Sequence, residues 1–242
     1  MLQSPLELLA KSWRLYRTHF WTYIGYSAWL LVPLVAFLVL TIFPAHWLTS
    51  VLAVIIGIVE VFLALWMAVC LIRLTSELSQ NKTPDHSRLS HESVMRIPSV
   101  LATAVLQSLV ILGGLLLFII PGIIFWVWYC FSQITTALEG LKPVEALTAS
   151  RVLTRGRFFP VLGRILAGPI IIGLLYTIVL SVIISLISMI LGLDATNAIL
   201  ETPPLWVIGL ESVGEISIFP LLLVYMVLLY QNLKSENVTS NP

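Results

Sequence analysis

Between Arg96 and Glu139 the chain runs for 42 residues, 97–138, without a charge. As one helix this stretch would be roughly 63 Å long at about 1.5 Å per residue, about twice the hydrocarbon thickness of a bilayer. It must therefore turn, and the Pro121-Gly122 pair near its middle is a turn signal. The expected result is a tight membrane hairpin, 97–120 and 123–138. The other apolar runs have the length of single spans: 21–43, 48–72, 165–193 and 205–233. Six spans grouped as three hairpins follow, joined by short polar segments. The segment 194–204, with Asn197, Pro203 and Pro204, is the loop between the last two spans.

Composition agrees with this count. The chain is 59% apolar and 10% charged, and its mean hydropathy is +1.00. Soluble domains are nearer 45–50% apolar and about 25% charged. The expected class is an all-α polytopic membrane protein, with 1–242 forming one membrane domain. The net charge of +1 gives no basis for binding nucleic acid through bulk charge. Cys70 and Cys130 both lie inside apolar runs and suit neither a disulfide framework nor a zinc site. The first apolar run is too long for a cleaved signal peptide.

Every Lys and Arg falls on one side of this topology. Lys11, Arg14 and Arg17 precede span one. Arg73, Lys82, Arg88 and Arg96 lie between spans two and three. Lys142, Arg151, Arg155, Arg157 and Arg164 lie between spans four and five, and Lys234 follows span six. The connections after spans one, three and five carry none. The positive-inside rule places both termini in the cytoplasm, and the expected location is a bacterial inner (plasma) membrane.

An internal repeat is visible. Residues 5–20 align without gaps on 143–158, an offset of 138. Pro5/Pro143, Glu7/Glu145, Leu9/Leu147, Ser12/Ser150, Leu15/Leu153, Arg17/Arg155 and Phe20/Phe158 are identical pairs. Each segment reads as a short amphipathic helix, with proline and an acid in its first turn and basic residues near its end. Such helices suit the cytoplasmic interface. The offset crosses an even number of spans, so the copies point the same way, as parallel repeats. A weaker third copy precedes span three, at 88–96. The expected units are 5–74, 75–140 and 141–233, the first and last being the repeats and the middle one the central hairpin.

The run Phe118-Ile-Ile-Pro-Gly-Ile-Ile124, together with Leu138-Glu-Gly-Leu-Lys-Pro-Val-Glu-Ala-Leu-Thr-Ala-Ser-Arg-Val-Leu-Thr-Arg-Gly-Arg-Phe158, resembles a known membrane family. It is similar to the membrane domain attached to some bacterial glycerophosphoryl diester phosphodiesterases and to YciC-like uncharacterised membrane proteins. The likeness covers about residues 112–163. It implies a multi-helix membrane module and says little of activity, because the phosphodiesterase chemistry belongs to a separate soluble barrel. The spans and short loops leave no room for that barrel, so no such activity is carried over.

No nucleophile elbow, Walker loop or HExxH zinc motif is present, and His86 and His91 read as residues of a solvated loop. No catalytic residue, metal or cofactor is expected. The intramembrane polar groups are more informative. Glu60 lies near the middle of span two. Glu211 and Glu215 lie one helical turn apart in span six, with Glu215 at a depth close to that of Glu60. A charge at mid-bilayer costs about 2.5–3.5 kcal/mol on insertion scales. No cation shares that depth, which leaves protonation, hydrogen bonds to Gln107 or Ser181, a bound cation, or a wet cavity. Two small-residue stripes, Ala53-Gly57-Glu60-Ala64-Ala68 and Ser181-Ser185-Ser188-Gly192, suggest packed faces on spans two and five.

The expected polar cluster is Glu60, Gln107, Ser181, Ser185, Glu211 and Glu215. The expected lipid-head contacts are Arg14, Arg17, Arg151, Arg155 and Arg157. Two functions fit. One is a non-catalytic membrane module, a scaffold or accessory in a lipid or envelope process. The other is a small transporter that uses the buried glutamates for proton or cation coupling. Membrane lipids, and a protein partner or second copy in the membrane, are the expected partners.

Overall fold

The computed structural model describes residues 3–44, 46–192 and 204–240. The chain forms α1 (Pro5–Thr18), α2 (Phe20–Ser27), a 3₁₀ turn (Ala28–Leu30), α3 (Leu31–Leu40), α4 (Trp47–Ser79) and α5 (His86–Leu117). It continues as α6 (Ile119–Tyr129), α7 (Ser132–Glu139), α8 (Pro143–Thr154), α9 (Phe158–Leu191) and α10 (Leu205–Ser240). Among the described residues six stretches are long and apolar enough to cross a membrane, and the fold is an all-α polytopic membrane protein. Helices are the solution because lipid offers no partner to an unpaired backbone group. Of the expected 194–204 loop, only Pro204 lies among the described residues.

Four helices are far longer than a bilayer requires. α4, α5, α9 and α10 have 33, 32, 34 and 36 residues, about 50 Å each against about 30 Å of hydrocarbon. Burial shows where the excess lies. In α4 the buried residues run from Met67 to Leu78 and in α10 most run from Pro220 to Leu233, both at the basic end; Val207 of α10 is buried with Ile184 of α9 in a smaller cluster at the other end. At the other end Val51, Val54, Ile58, Val61 and Val213 stay exposed, as side chains facing lipid do. The molecule is packed as protein at its basic end and presents its apolar surface to lipid at the other.

The second hairpin corrects the expected turn. The break falls at Phe118, three residues before the proline, with φ −163° and ψ 156°. Pro121 instead occupies the first turn of α6, where a missing N–H costs nothing. Gly114 and Gly122 allow the close crossing that follows: a Cβ on Gly122 would stand 2.3 Å from a Leu115 methyl, and one on Gly114 2.6 Å from the Phe125 ring. Span four is also broken, between α6 and α7. Ser150 of α8 repairs the break, its Oγ donating to the Trp128 carbonyl at 2.7 Å and accepting from the Phe131 N–H at 3.2 Å.

The two repeat segments form α1 and α8, each a separate helix. Each opens with proline, and each has a glutamate accepting from its N-cap N–H: Ser4 to Glu7 at 3.0 Å, Lys142 to Glu145 at 3.2 Å. α1 stops at Thr18 before α2 begins at Phe20. α8 stops at Thr154, and Gly156, at φ 77°, turns the chain into α9. Burial recurs at the same offset of 138: Leu8/Ala146, Ser12/Ser150, Tyr16/Thr154, Tyr23/Val161 and Ser27/Ile165 are all buried. The pattern occurs a third time at the start of α5, where Leu89, Ser93 and Ile97 stand at the same distances from the N-cap Asp85. There the helix continues into its span, with Pro98 close to where the other two break.

Each of these three junction helices packs on the hairpin before it. α8 lies against α6, α7 and α5; the start of α5 lies against α4; and α1 lies against α10 and α9, closing a ring from first hairpin to last. α1 does not lie flat across the basic end of the bundle. Gln3 N–H donates to Asn232 Oδ1 at 3.3 Å and Tyr16 Oη to the Ser217 carbonyl at 2.6 Å. Those acceptors are 15 residues apart on α10, roughly 22 Å of helix. The stripe Leu8, Ser12 and Tyr16 is buried, so packing along α10 outweighs a berth at the interface.

Two outcomes test this packing. Gly168 meets the buried Tyr225 ring, where a Cβ would stand 2.2 Å from Cε1, whereas nothing lies within 4 Å of a Cβ on Gly173. Gly168→Ala should cost about 1–3 kcal/mol through overpacking, and Gly173→Ala should be neutral or slightly stabilising, by thermal unfolding in detergent. Burial pushes the Tyr16 phenol up from 10.0 to about 12. The neutral phenol is the form the fold prefers, so its contribution is complete below pH 10 and is lost as pH rises towards 12. Tyr16→Phe should remove that part of the alkaline loss and cost about 0.5–1.5 kcal/mol at neutral pH.

Candidate functional site: the Glu60–Glu215 cavity

α4 and α10 run in the same direction. Gln231 Nε2 donates to Ser76 Oγ at 3.2 Å at the basic end, a separation of 155 residues in sequence. Glu60 and Glu215 are separated by the same number, so an unbroken parallel register brings them level. They line one cavity of about 230 Å³, together with Ser27, Leu30, Ala64 and Ser212. That volume holds several waters. Among the described residues neither carboxylate has a cationic partner. Towards the basic end the cavity meets Met67, the first fully buried residue of α4. Both Glu60 and Glu215 are exposed, so the expectation of buried glutamates is corrected: the two acids and a serine hydroxyl line an open pocket with apolar walls, large enough for water or a small cation.

The rest of the expected cluster is dispersed. Glu211 does not line the cavity; its carbonyl accepts from Tyr176 Oη at 3.2 Å on the side facing α9. Gln107 pairs with Gln133, whose Nε2 donates at 3.2 Å between α5 and α7. Ser181 and Ser185 are exposed, and Ser181 donates to the Thr177 carbonyl of its own helix at 2.7 Å. A hydroxyl satisfied by its own helix needs no protein neighbour, so this stripe does not form one packed face. Of it, only Ser188 is buried.

The cations divide in two. Arg157 pairs with Glu236 at 2.6 Å, so it is not a free lipid contact. Arg88 pairs with Glu77 at 2.7 Å, Lys234 with Glu139 at 2.5 Å, and Arg73 with Glu92. Arg14 and Arg17 are exposed on α1. Arg151 lies over the Trp128 ring, 4.5 Å from its centroid, and Arg155 is exposed at the end of α8. The acidic partners were not foreseen from the sequence, although the acids stand in the same segments as the bases. Among the described residues no group of three His, Cys, Asp or Glu could hold a metal ion. No family model, no curated protein and no solved structure matches the chain.

Glu60→Leu and Glu215→Leu should each leave thermal stability in detergent or bicelles unchanged within about 0.5 kcal/mol, or raise it. Neither side chain has a hydrogen bond among the described residues, and an exposed acid in an apolar span is replaced by an apolar side chain. A loss of 2 kcal/mol or more would mean that the cavity water is structural.

Proposed function

We propose that the chain is a non-catalytic membrane module, a scaffold or accessory in a lipid or envelope process, in a bacterial inner membrane with both termini cytoplasmic. The observation that carries this is the packed layer at the basic end, where ion pairs join one element to the next and the long helices pass beyond the hydrocarbon. A rigid layer on a lipid-facing stem is what a docking or accessory module needs. The likeness of residues 112–163 to the phosphodiesterase-linked membrane domain supports the same reading, and kinship with that family is part of the proposal. The second reading, a small transporter, draws on the shared Glu60–Glu215 cavity. It has less support, because the cavity meets the buried core at Met67.

Proteoliposomes separate the two. A module leaves proton and alkali-cation flux at the level of protein-free vesicles. Flux that disappears in both Glu60→Gln and Glu215→Gln would establish the transporter instead. Orientation is tested in a Cys70→Ser/Cys130→Ser background. A cysteine at Ser87 should react with impermeant maleimide only from the cytoplasmic side, and one at Thr41 only from outside. Labelling of Ser87 from outside would invert the topology.

A further inference from the structure

We infer that the groove between α6 and α9 is a binding site for one anionic glycerophospholipid, with the phosphate at Arg155 and an acyl chain along α6. The inference rests on the membrane-module reading and names the ligand of one of its faces. The groove has a volume of about 480 Å³, and Ile120, Ile123, Ile124, Trp128 and Phe159 wall it. Ile120 and Phe159 are 71% and 79% exposed, so the groove opens on the lipid-facing surface rather than into the protein core. Arg155 lines it too, at the cytoplasmic junction of α8 and α9.

Charge complementarity selects the occupant. Arg73, Arg88, Arg157 and Lys234 at the same end each have a carboxylate partner. Arg155 has none among the described residues. Arg151, one helical turn before it, is held over the face of Trp128, a wall of the same groove. Two guanidinium groups without acids, beside an apolar trough that starts at the cytoplasmic junction, match a phosphate joined to a hydrocarbon tail. A guanidinium fork is suited to phosphate oxygens. A zwitterionic lipid would bring its own cation to the same place. A soluble phosphate would leave the trough unused.

The test is native mass spectrometry of the full chain in detergent, equilibrated with equal amounts of phosphatidylglycerol and phosphatidylcholine of the same acyl chains. Wild type should retain phosphatidylglycerol in preference. Arg155→Gln should lower that preference about fivefold, and Arg151→Gln/Arg155→Gln about 25-fold, at roughly 1 kcal/mol per cation. Ile124→Trp, which fills the trough, should lower retention of both lipids. Arg14→Gln, on the other side of the ring, should leave the preference unchanged. Equal retention of the two lipids by wild type would overturn the inference, as would an Arg14→Gln effect as large as that of Arg155→Gln. Circular dichroism and membrane fractionation of each variant keep this result separate from the module reading. A variant that stays folded and membrane-bound but loses no lipid preference defeats the lipid site alone.

Discussion

Apolar side chains gain little by leaving lipid for protein, so three membrane hairpins are not held together by their hydrocarbon-facing halves. What joins them must lie where burial removes surface from water. The distribution of the core follows this constraint. Leu71, Leu74, Leu89, Leu229 and Leu233 are fully buried at the basic ends of α4, α5 and α10, and only the small Ile184–Val207 cluster forms at the other end of the long helices among the described residues. The helix ends that overshoot the hydrocarbon are therefore the principal interface. α1 completes it by packing on α10 and α9. Its buried Tyr16 touches Tyr23, with ring centroids 5.6 Å apart, and bonds α10, which links both sides of the closure.

Polar groups set the register of this layer more than its stability. The four ion pairs named above are partly exposed, and such pairs contribute about 0.2–1 kcal/mol each. Each nevertheless joins different elements: α4 with α5 twice, α10 with α7, and the start of α9 with α10. Arg96 shows how specific the fit is. Its guanidinium donates to the Thr136 carbonyl at 3.1 Å and covers Gly140, where a Cβ would stand 2.6 Å from its nitrogen. Gly140 also has φ 71°, so the left-handed cap of α7 and the seat for Arg96 both depend on one missing side chain.

Much of this was legible in the sequence, and the remainder has physical reasons. The spans could be counted because hydropathy is a local property. Their true lengths could not, because helices such as α4 and α5 continue through polar residues into a layer that only tertiary contact stabilises. The turn of the second hairpin was read three residues late. Proline marks both turns and helix starts, and close Gly114–Gly122 contact decides between them. The common depth of Glu60 and Glu215 followed from helix rise alone. The partner of Gln107 did not, because it depends on how α5 crosses α7. The likeness of 5–20 to 143–158 was visible in residue identity. The packing of α1 on α10 and α9 was not, since nothing local tells α1 to seek the far end of the chain.

The cavity and the packed layer are mechanically linked. The Ser76–Gln231 bond and the Glu60–Glu215 chamber lie on the same pair of parallel helices, 16 residues apart on each, or roughly 24 Å. A slide of α4 past α10 that separated the two acids would also break the bond at the basic end and shift Met67 and Tyr225 within the core. A rocking motion that widened this pocket would not. It would hinge at the edge of the layer and part only the outer halves, where apolar residues exchange one apolar neighbour for another at little cost. The fold thus restrains motion at the basic end and leaves it open at the other. Any exchange of water or ions with the Glu60–Glu215 chamber would proceed through the lipid-facing half, and the basic layer would stay a fixed platform throughout.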